Sequence, residues 1–387
     1  MTPSRDHLAW PFFDDAQRTL AVEIDRFVAA GGLAGIDHHN TDASCRKLVR
    51  AMGEAGLFAA NVLLPDQDVS FLQSRNLCLA RETLAYHDGL ADFALAMQGL
   101  GTGAIALAGS AELRSLVLPK VRRGEWLAAF ALSEAQAGSD VAAMACAARD
   151  DGAHMVLDGD KKWISNGGIA DVYTVFARTG EQPGTRGISA FVVFADDPGF
   201  SIANRIEVIS PHPLATIRFD NCRIPRSRQL GAGGEGFKLA MRTLDIFRAS
   251  VAAAACGFAR RALDESIAQV KSRRMFGATQ ADLQLTQAAL GDMAAELDAA
   301  LLLTYRAAWR RDAQRLATTR EAAMAKMAAT ESAQKIVDRA VQLFGGRGVT
   351  VGEIPERLYR DIRALRIYEG ATEVQKLIIG RDLLRDP

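Results

Sequence analysis

Five cysteines in 387 residues, Cys45, Cys78, Cys146, Cys222 and Cys256, include no CxxC pair and leave an odd one in any pairing. That excludes a disulfide-stapled scaffold and predicts mostly buried thiols in a reducing compartment. An excess of one charge is missing too. Lys+Arg and Asp+Glu both total 46, so the net charge is zero, and nothing asks for nucleic acid or an acidic membrane surface as partner. No run of 18 apolar residues appears, so no membrane span is expected. Histidine is scarce, six in all; the pair His38-His39 with Asp37 and Asp42 nearby matches no ligand spacing, and no metal site is expected. The start, Met1-Thr2-Pro3-Ser4-Arg5-Asp6, has neither an apolar signal core nor an Arg-rich amphipathic pattern, which points to a cytoplasmic protein.

What is present is ordinary globular composition, 49% hydrophobic and 24% charged, at a length that suits two or three domains. Helical spacing of apolar residues predicts helices over 14–30, 46–59 and 77–86. The run Gly99-Leu100-Gly101-Thr102-Gly103 interrupts the helical pattern that follows. The middle changes period: 126–132, 154–157, 162–165, 172–178, 188–194 and 215–219 are short and β-rich. Turn residues such as Asp150-Asp151-Gly152, Asp158-Gly159-Asp160 and Asn166-Gly167-Gly168 separate them. Short strands so spaced predict a compact antiparallel barrel or sandwich. Long alanine-rich helices return over 241–272, 281–311 and 319–344, with shorter ones over 352–365 and 372–384, which predicts a bundle. The expected organisation is a helical domain (1–125), a β domain (126–235) and a helical bundle (236–387), with no internal repeat.

Two glycine-bearing segments mislead. Gly99–Gly103 has helical patterns on both sides, whereas a dinucleotide fingerprint needs a strand before it and a βαβ unit around it. Gly187-Ile188-Ser189-Ala190-Phe191 lacks the closing glycine of a nucleophile elbow.

Five other segments carry chemistry. In Phe130-Ala131-Leu132-Ser133-Glu134-Ala135-Gln136-Ala137-Gly138-Ser139-Asp140, a strand runs into a loop whose N–H groups and hydroxyls suit a polar ring edge or phosphate, or it is a plain strand exit. In Lys161-Lys162-Trp163-Ile164-Ser165-Asn166-Gly167, period two puts Trp163 and Ser165 on one face, either as a wall for an aromatic cofactor or as core. Arg273-Arg274-Met275-Phe276-Gly277 offers a permanently charged fork for a pyrophosphate, or a basic helix cap. Gln342-Leu343-Phe344-Gly345-Gly346-Arg347-Gly348 lets backbone approach a ligand, or simply ends a helix. Last, Ile367-Tyr368-Glu369-Gly370-Ala371-Thr372-Glu373-Val374-Gln375 sets a carboxylate beside a glycine just ahead of a helix. Thr372 and Gln375 have capping-box spacing. Glu369 is then either a solvated acid at a helix mouth or a held general base for a weakly acidic C–H.

These segments, SEAQAGSD (133–140), KKWISNG (161–167), RRMFG (273–277), QLFGGRG (342–348) and IYEGATEVQ (367–375), in this order and spacing, resemble the acyl-CoA dehydrogenase family over residues 15–385. The resemblance implies an α+β multidomain fold: N-terminal helical domain, middle antiparallel β-barrel, C-terminal four-helix bundle. It implies bound FAD, a homotetramer built as a dimer of dimers, an acyl-CoA substrate, and an electron-transfer flavoprotein as acceptor. Phe130, Leu132, Ser133, Ser139, Trp163 and Ser165 match positions around the flavin and its pyrophosphate. Arg273, Phe276, Gln284, Gln342, Gly345 and Gly346 match positions reaching FAD, partly across a subunit interface, and Thr372 and Glu373 match the final helix near it. Phe93, Ala96, Met97 and Leu100 match the acyl lining, and Arg248, Tyr368 and Gly370 are assigned to the substrate side. Glu369 matches the catalytic base. The alternative base position of the family aligns with Phe247, which cannot take a proton.

The resemblance thus implies removal of the α-proton by Glu369 and passage of the β-hydride to flavin N5, giving a trans-2-enoyl-CoA. Burial should raise the Glu369 pKa and the helix terminus should lower it, and the sequence leaves open which prevails. A same-fold oxidase or monooxygenase is an alternative, and a non-catalytic helical scaffold another. The chain departs from the family pattern at Ala135, at Leu64-Pro65-Asp66-Gln67-Asp68 and at Pro211-His212-Pro213-Leu214.

Overall fold

The computed structural model describes residues 4–385. Five helices come first: α1 (Asp15–Ala29), α2 (Thr41–Glu54), α3 (Ser74–His87), α4 (Gly89–Ala108) and α5 (Ala111–Arg122). The strands β1 (Ala128–Ala131), β2 (Ala147–Asp151), β3 (His154–Ser165), β4 (Val172–Arg178), β5 (Ile188–Phe194), β6 (Phe200–Arg205), β7 (Leu214–Pro225) and β8 (Gln229–Leu230) follow. Then come α6 (Gly236–Ser272), the short pair β9 (Arg274–Met275) and β10 (Ala278–Thr279), α7 (Gln284–Ala313), α8 (Thr319–Phe344), α9 (Ile354–Leu365) and α10 (Thr372–Leu383). Local chemistry sets several helix starts. Asn40 and Ser110 cap α2 and α5 by accepting from the N–H groups of Ala43 and Leu113, and a proline opens α9.

The chain divides into two compact units. One holds the described residues up to Arg26, Ser74–Asp92, and the chain from Asp245 on; the other holds Phe27–Gln73 and Phe93–Leu244. The first unit is helical. Its core is largely alanine, with Ala252, Ala255, Ala325, Ala329 and Ala333 among Leu297, Leu301, Tyr305, Ile336 and Val337. Small side chains let helix axes approach closely, which is why long alanine-rich segments can pack without bulk.

The second unit is built on one sheet, and here an expectation fails. The strand order is β6-β7-β3-β2-β4-β5-β8, with β1 joined to β4. β1 runs parallel to β4, and β2 meets β4 in parallel at Ala147 and Arg178, while the remaining pairs are antiparallel. The sheet is mixed and open, with β6 and β8 at its ends, so the middle region is not the antiparallel β-barrel the resemblance implied. Two local misreadings belong with this. Asp158-Gly159-Asp160 is not a turn between strands but a bulge inside β3, where pairing with β7 shifts between Leu157 and Gly159 and Gly159 takes φ +130°. β6 went unseen because it is an edge strand exposed along nearly its whole length, leaving no buried face to write an alternation.

The glycine run at 99–103 does not break α4; it lies inside it. A Cβ on Gly101 would stand 2.7 Å from Ala128 Cβ and 2.8 Å from the backbone N of Ala129, and Thr174 Oγ1 donates to Gly101 O at 2.7 Å. Glycine here lets β1 and β4 dock against helix backbone. Gly101→Val is expected to cost about 1–3 kcal/mol through overpacking, read as a lower thermal midpoint; an unchanged midpoint would mean the contact is slack. α4 is also long and apolar enough to cross a bilayer, but 83% of that stretch is buried inside the protein, the mark of a core helix.

Candidate functional site

The residues assigned from the sequence fall into two sets, one in each compact unit. In the sheet unit, the segments at 130–139 and 161–165 lie side by side. Lys162 N–H donates to Ser133 O at 2.9 Å. Lys161, fully buried, donates to Leu132 O at 3.1 Å and to Glu134 at 2.8 Å. Glu134 also accepts from the N–H groups of Ala145 and Cys146. Burial works against the ionised Glu134, yet the Lys161 charge and these N–H groups hold its pKa below the ordinary value. The loop is thereby anchored even though Ala135 departs from the family pattern. Phe130 and Ser133 are half-buried, Leu132 is buried and Ser139 is exposed.

Trp163 departs from the alternation used to place it. It sits at φ +59°, where the β3–β7 register shifts between Lys161 and Ile164, and its large apolar side chain is 48% exposed. A left-handed backbone at a non-glycine costs about 1–3 kcal/mol and tends to mark functional sites. The result is an exposed indole under the Lys162 ammonium, 5.1 Å from the ring centroid, with an open face on which a flat aromatic ring could stack. Along α4, Ala96, Met97 and Leu100 are buried, and Phe93 packs against His212 with ring centroids 4.7 Å apart.

In the helical unit, Arg273 to Thr279 is not a helix cap but a two-strand hairpin, β9 against β10. Its tip is Phe276 and Gly277, at φ +52° and +80°, and Phe276 is 87% exposed. The Arg273 guanidinium reaches back to Phe344 O at 3.3 Å, where it would lie 3.3 Å from a Cβ placed on Gly345. Gln280 donates to Leu343 O, while its own buried side-chain oxygen has no partner. The hairpin and the Gly345-Gly346 loop therefore meet, which sets the Arg273 cation, a group able to hold a phosphate, beside backbone that carries no side chain. Gln284 and Gln342 are exposed.

Glu369 lies in the turn between α9 and α10, at φ +52°, followed by Gly370 at φ +89°. The turn is held from both sides. Glu331 on α8 accepts from Arg366 at 2.9 Å and from Thr372 Oγ1 at 2.7 Å. The expected capping box is accordingly absent: Ala371 is the N-cap of α10, with no side-chain bond, because the Thr372 hydroxyl is committed to Glu331. Gln375 instead donates backward to Glu369 O at 3.3 Å and Gly370 O at 2.8 Å. Lys326 on α8, with no exposed surface, donates to Gly370 O at 2.8 Å. Glu373 points to solvent.

The Glu369 side chain is half-buried as a residue, but its Oε2 is shielded from water and has no hydrogen-bond partner. Burial raises its pKa above the ordinary value, against the charges of Arg81, Lys326 and Arg248, with Asp92 adding to the rise. Burial thus outweighs the three cations around it. Arg81 is itself buried and bidentate to Asp92 at 2.8 and 2.9 Å, with Ser250 Oγ at 2.9 Å. Arg248 pairs with Asp245, and its buried Nε has no partner. Phe247, at the alternative base position, is buried. Sequence reading missed Lys326, Arg81 and Asp92. A signal existed for Lys326: a lysine among Ala322, Ala325 and Ala329 on the apolar face of α8 is a buried charge in waiting.

Comparison with known proteins places the whole chain among characterised relatives. Family models described as the N-terminal, middle and C-terminal domains of acyl-CoA dehydrogenase match residues 14–125, 129–222 and 234–384. The probable acyl-CoA dehydrogenase FadE25 of Mycobacterium tuberculosis is 41% identical over 310 residues, 80% of each chain. The short-chain specific mitochondrial acyl-CoA dehydrogenase of Mus musculus is 38% identical, covering 87% of this chain and 82% of that one. The structure of butyryl-CoA dehydrogenase from Megasphaera elsdenii superposes with a TM-score of 0.88 at 30% identity, over 96% of this chain and 99% of the other.

Proposed function

We propose that this chain, which belongs to the acyl-CoA dehydrogenase family of FAD-dependent oxidoreductases, uses Glu369 to remove the α-proton of an acyl-CoA thioester, yielding a trans-2-enoyl-CoA. The observation that carries this reading is the Glu369 carboxylate itself. It has one oxygen shielded and unpartnered, on a turn clamped by α8 and α10. A carboxylate with raised proton affinity, facing fixed cations but committed to no hydrogen bond at Oε2, is suited to accept a proton from carbon.

FAD, when bound, supplies the two-electron acceptor for the β-hydrogen. Trp163, Ser165, Phe130, Leu132 and Ser133 would hold its ring, Ser139 would lie by the pyrophosphate, and Arg273, Phe276, Gln284, Gln342, Gly345 and Gly346 would hold the rest, in part through a neighbouring subunit of a homotetramer. The N–H of Glu369 would stabilise charge on the thioester oxygen. Phe93, Ala96, Met97, Leu100, Arg248, Tyr368 and Gly370 would border the acyl-CoA, Thr372 and Glu373 the cofactor. An electron-transfer flavoprotein is the acceptor this reading favours, and a cytoplasmic site of action fits the five buried thiols.

Anaerobic bleaching of the bound flavin against a panel of acyl-CoA thioesters tests the reaction: at least one thioester is expected to bleach it, and failure of short, long, branched and aromatic members alike would remove the assignment. For the cofactor contacts, Arg273→Ala is expected to lose about 1.5–3 kcal/mol of FAD affinity, the worth of a hydrogen bond to a charged group. FAD occupancy equal to wild type after gel filtration would remove Arg273 from the site.

A further inference from the structure

Lys326 has no part in the family reading above, yet it is a fully buried lysine packed against the turn that carries the base. Burying an ammonium is costly unless it is paired and hydrogen-bonded. Here its hydrogen bond goes to Gly370 O, one peptide from Glu369. The same carbonyl also accepts from Gln375, and any Cβ at residue 370 would stand 2.4 Å from Gln375 Nε2. The turn is thus gripped at one oxygen by two donors from two helices, which lets Glu369 persist in a left-handed conformation that isolated chains avoid.

We propose that Lys326 is a positioning residue for Glu369: its ammonium fixes the carbonyl that follows the base and sets a positive charge against the carboxylate that takes the substrate proton. The inference rests on Glu369 being the base. The charges facing Glu369 are Arg81 from α3, Asp92 from α4, Arg248 from α6 and Lys326 from α8, with the Tyr368 hydroxyl beside them. Those facing Lys326 are Glu369, Arg248, Glu331 and Glu373. Arg81 is matched by Asp92 and Arg248 by Asp245. Among the carboxylates that act on Lys326, Glu369 has the largest influence. Burial lowers the Lys326 pKa to about 8, with the Glu369 charge opposing that fall. Below that pH the ammonium is charged and keeps the buried carboxylate ionised down to a lower pH than burial alone would permit.

Three variants separate the two parts of this role. Lys326→Gln keeps a donor for Gly370 O without the charge, Lys326→Arg keeps the charge, and Lys326→Met removes both. Two readouts apply to the FAD-loaded proteins. One is the pH dependence of anaerobic flavin reduction by an acyl-CoA. The other is the titration of the Glu369 carboxyl band in the infrared without substrate, assigned by its loss in Glu369→Gln. The expected result is an upward shift of about 1–3 pH units, the effect of losing an opposite charge nearby, in both readouts for Lys326→Gln, with Lys326→Arg near wild type. Lys326→Met should show the same shift with a lower reduction rate at its optimum. If Lys326→Met does not fold, Lys326→Gln alone decides. A carboxyl band in Lys326→Gln that titrates as in wild type overturns the proposal. Normal flavin reduction by Glu369→Gln would overturn the base assignment instead, and the infrared titration distinguishes the two failures.

Discussion

Glu369→Gln is expected to purify yellow and stay yellow: FAD is retained, while bleaching by an acyl-CoA slows by about 10²–10⁴-fold, the usual worth of a general base. The substitution is nearly isosteric, and the contacts that shape the turn do not involve the carboxylate. Lys326 and Gln375 bind backbone carbonyls of residues 369 and 370, and Glu331 binds Arg366 and Thr372. The turn should therefore survive while the proton acceptor is lost. In the wild type the rate should fall as pH drops through the Glu369 pKa. That pKa lies above the ordinary value because burial outweighs Arg81, Lys326 and Arg248. The base is active only when ionised, so the acid limb of the rate profile should lie above the roughly pH 4.3 of a free glutamate. Bleaching of Glu369→Gln at the wild-type rate would show that another group removes the proton.

The second large effect concerns the ion pair behind the base. Arg81 and Asp92 have side chains only 3% and 5% exposed, and the guanidinium also binds Ser250. Arg81→Met would strand Asp92 as a buried, unpaired charge, with an expected cost of about 3–5 kcal/mol. The double variant Arg81→Met/Asp92→Leu should recover most of it, because replacing a whole buried pair with apolar groups is often neutral. Urea denaturation followed by far-UV circular dichroism measures both. A single variant as stable as wild type would mean that water reaches the pair. The Glu369 carboxyl should titrate at higher pH in Arg81→Met, since Arg81 is the strongest of the charges opposing its rise.

Much of the architecture was legible because it is written in local chemistry. Alanine-rich segments with 3.6-residue apolar spacing became α6, α7 and α8, and the turn at Asp150-Asp151-Gly152 joins β2 to β3 as its residues demand. Three of the readings that failed share one cause. Glycines at 99–103 break a helix by propensity, but docking of β1 and β4 against Gly101 outweighs that penalty. Gly159 looked like a turn and is a bulge, because β7 pairs on both sides of it. Thr372 had the spacing of a cap and was drawn off by Glu331, 41 residues away. In each case a partner distant in sequence decided between two local options.

The sequence by itself determined the class of chemistry. An acid between a tyrosine and a glycine ahead of a helix, and loops suited to a phosphate and a flat ring, are read from residue type and spacing, while the flavin itself is what the resemblance of the ordered set to a family implies. Tertiary structure alone decided the proton affinity of the acid and the form of the sheet. Proton affinity depends on burial and on charges brought in by α3, α4, α6 and α8. Whether a sheet closes depends on which strands pair, and β1 lying parallel to β4 is a fact of long-range packing that no local pattern encodes.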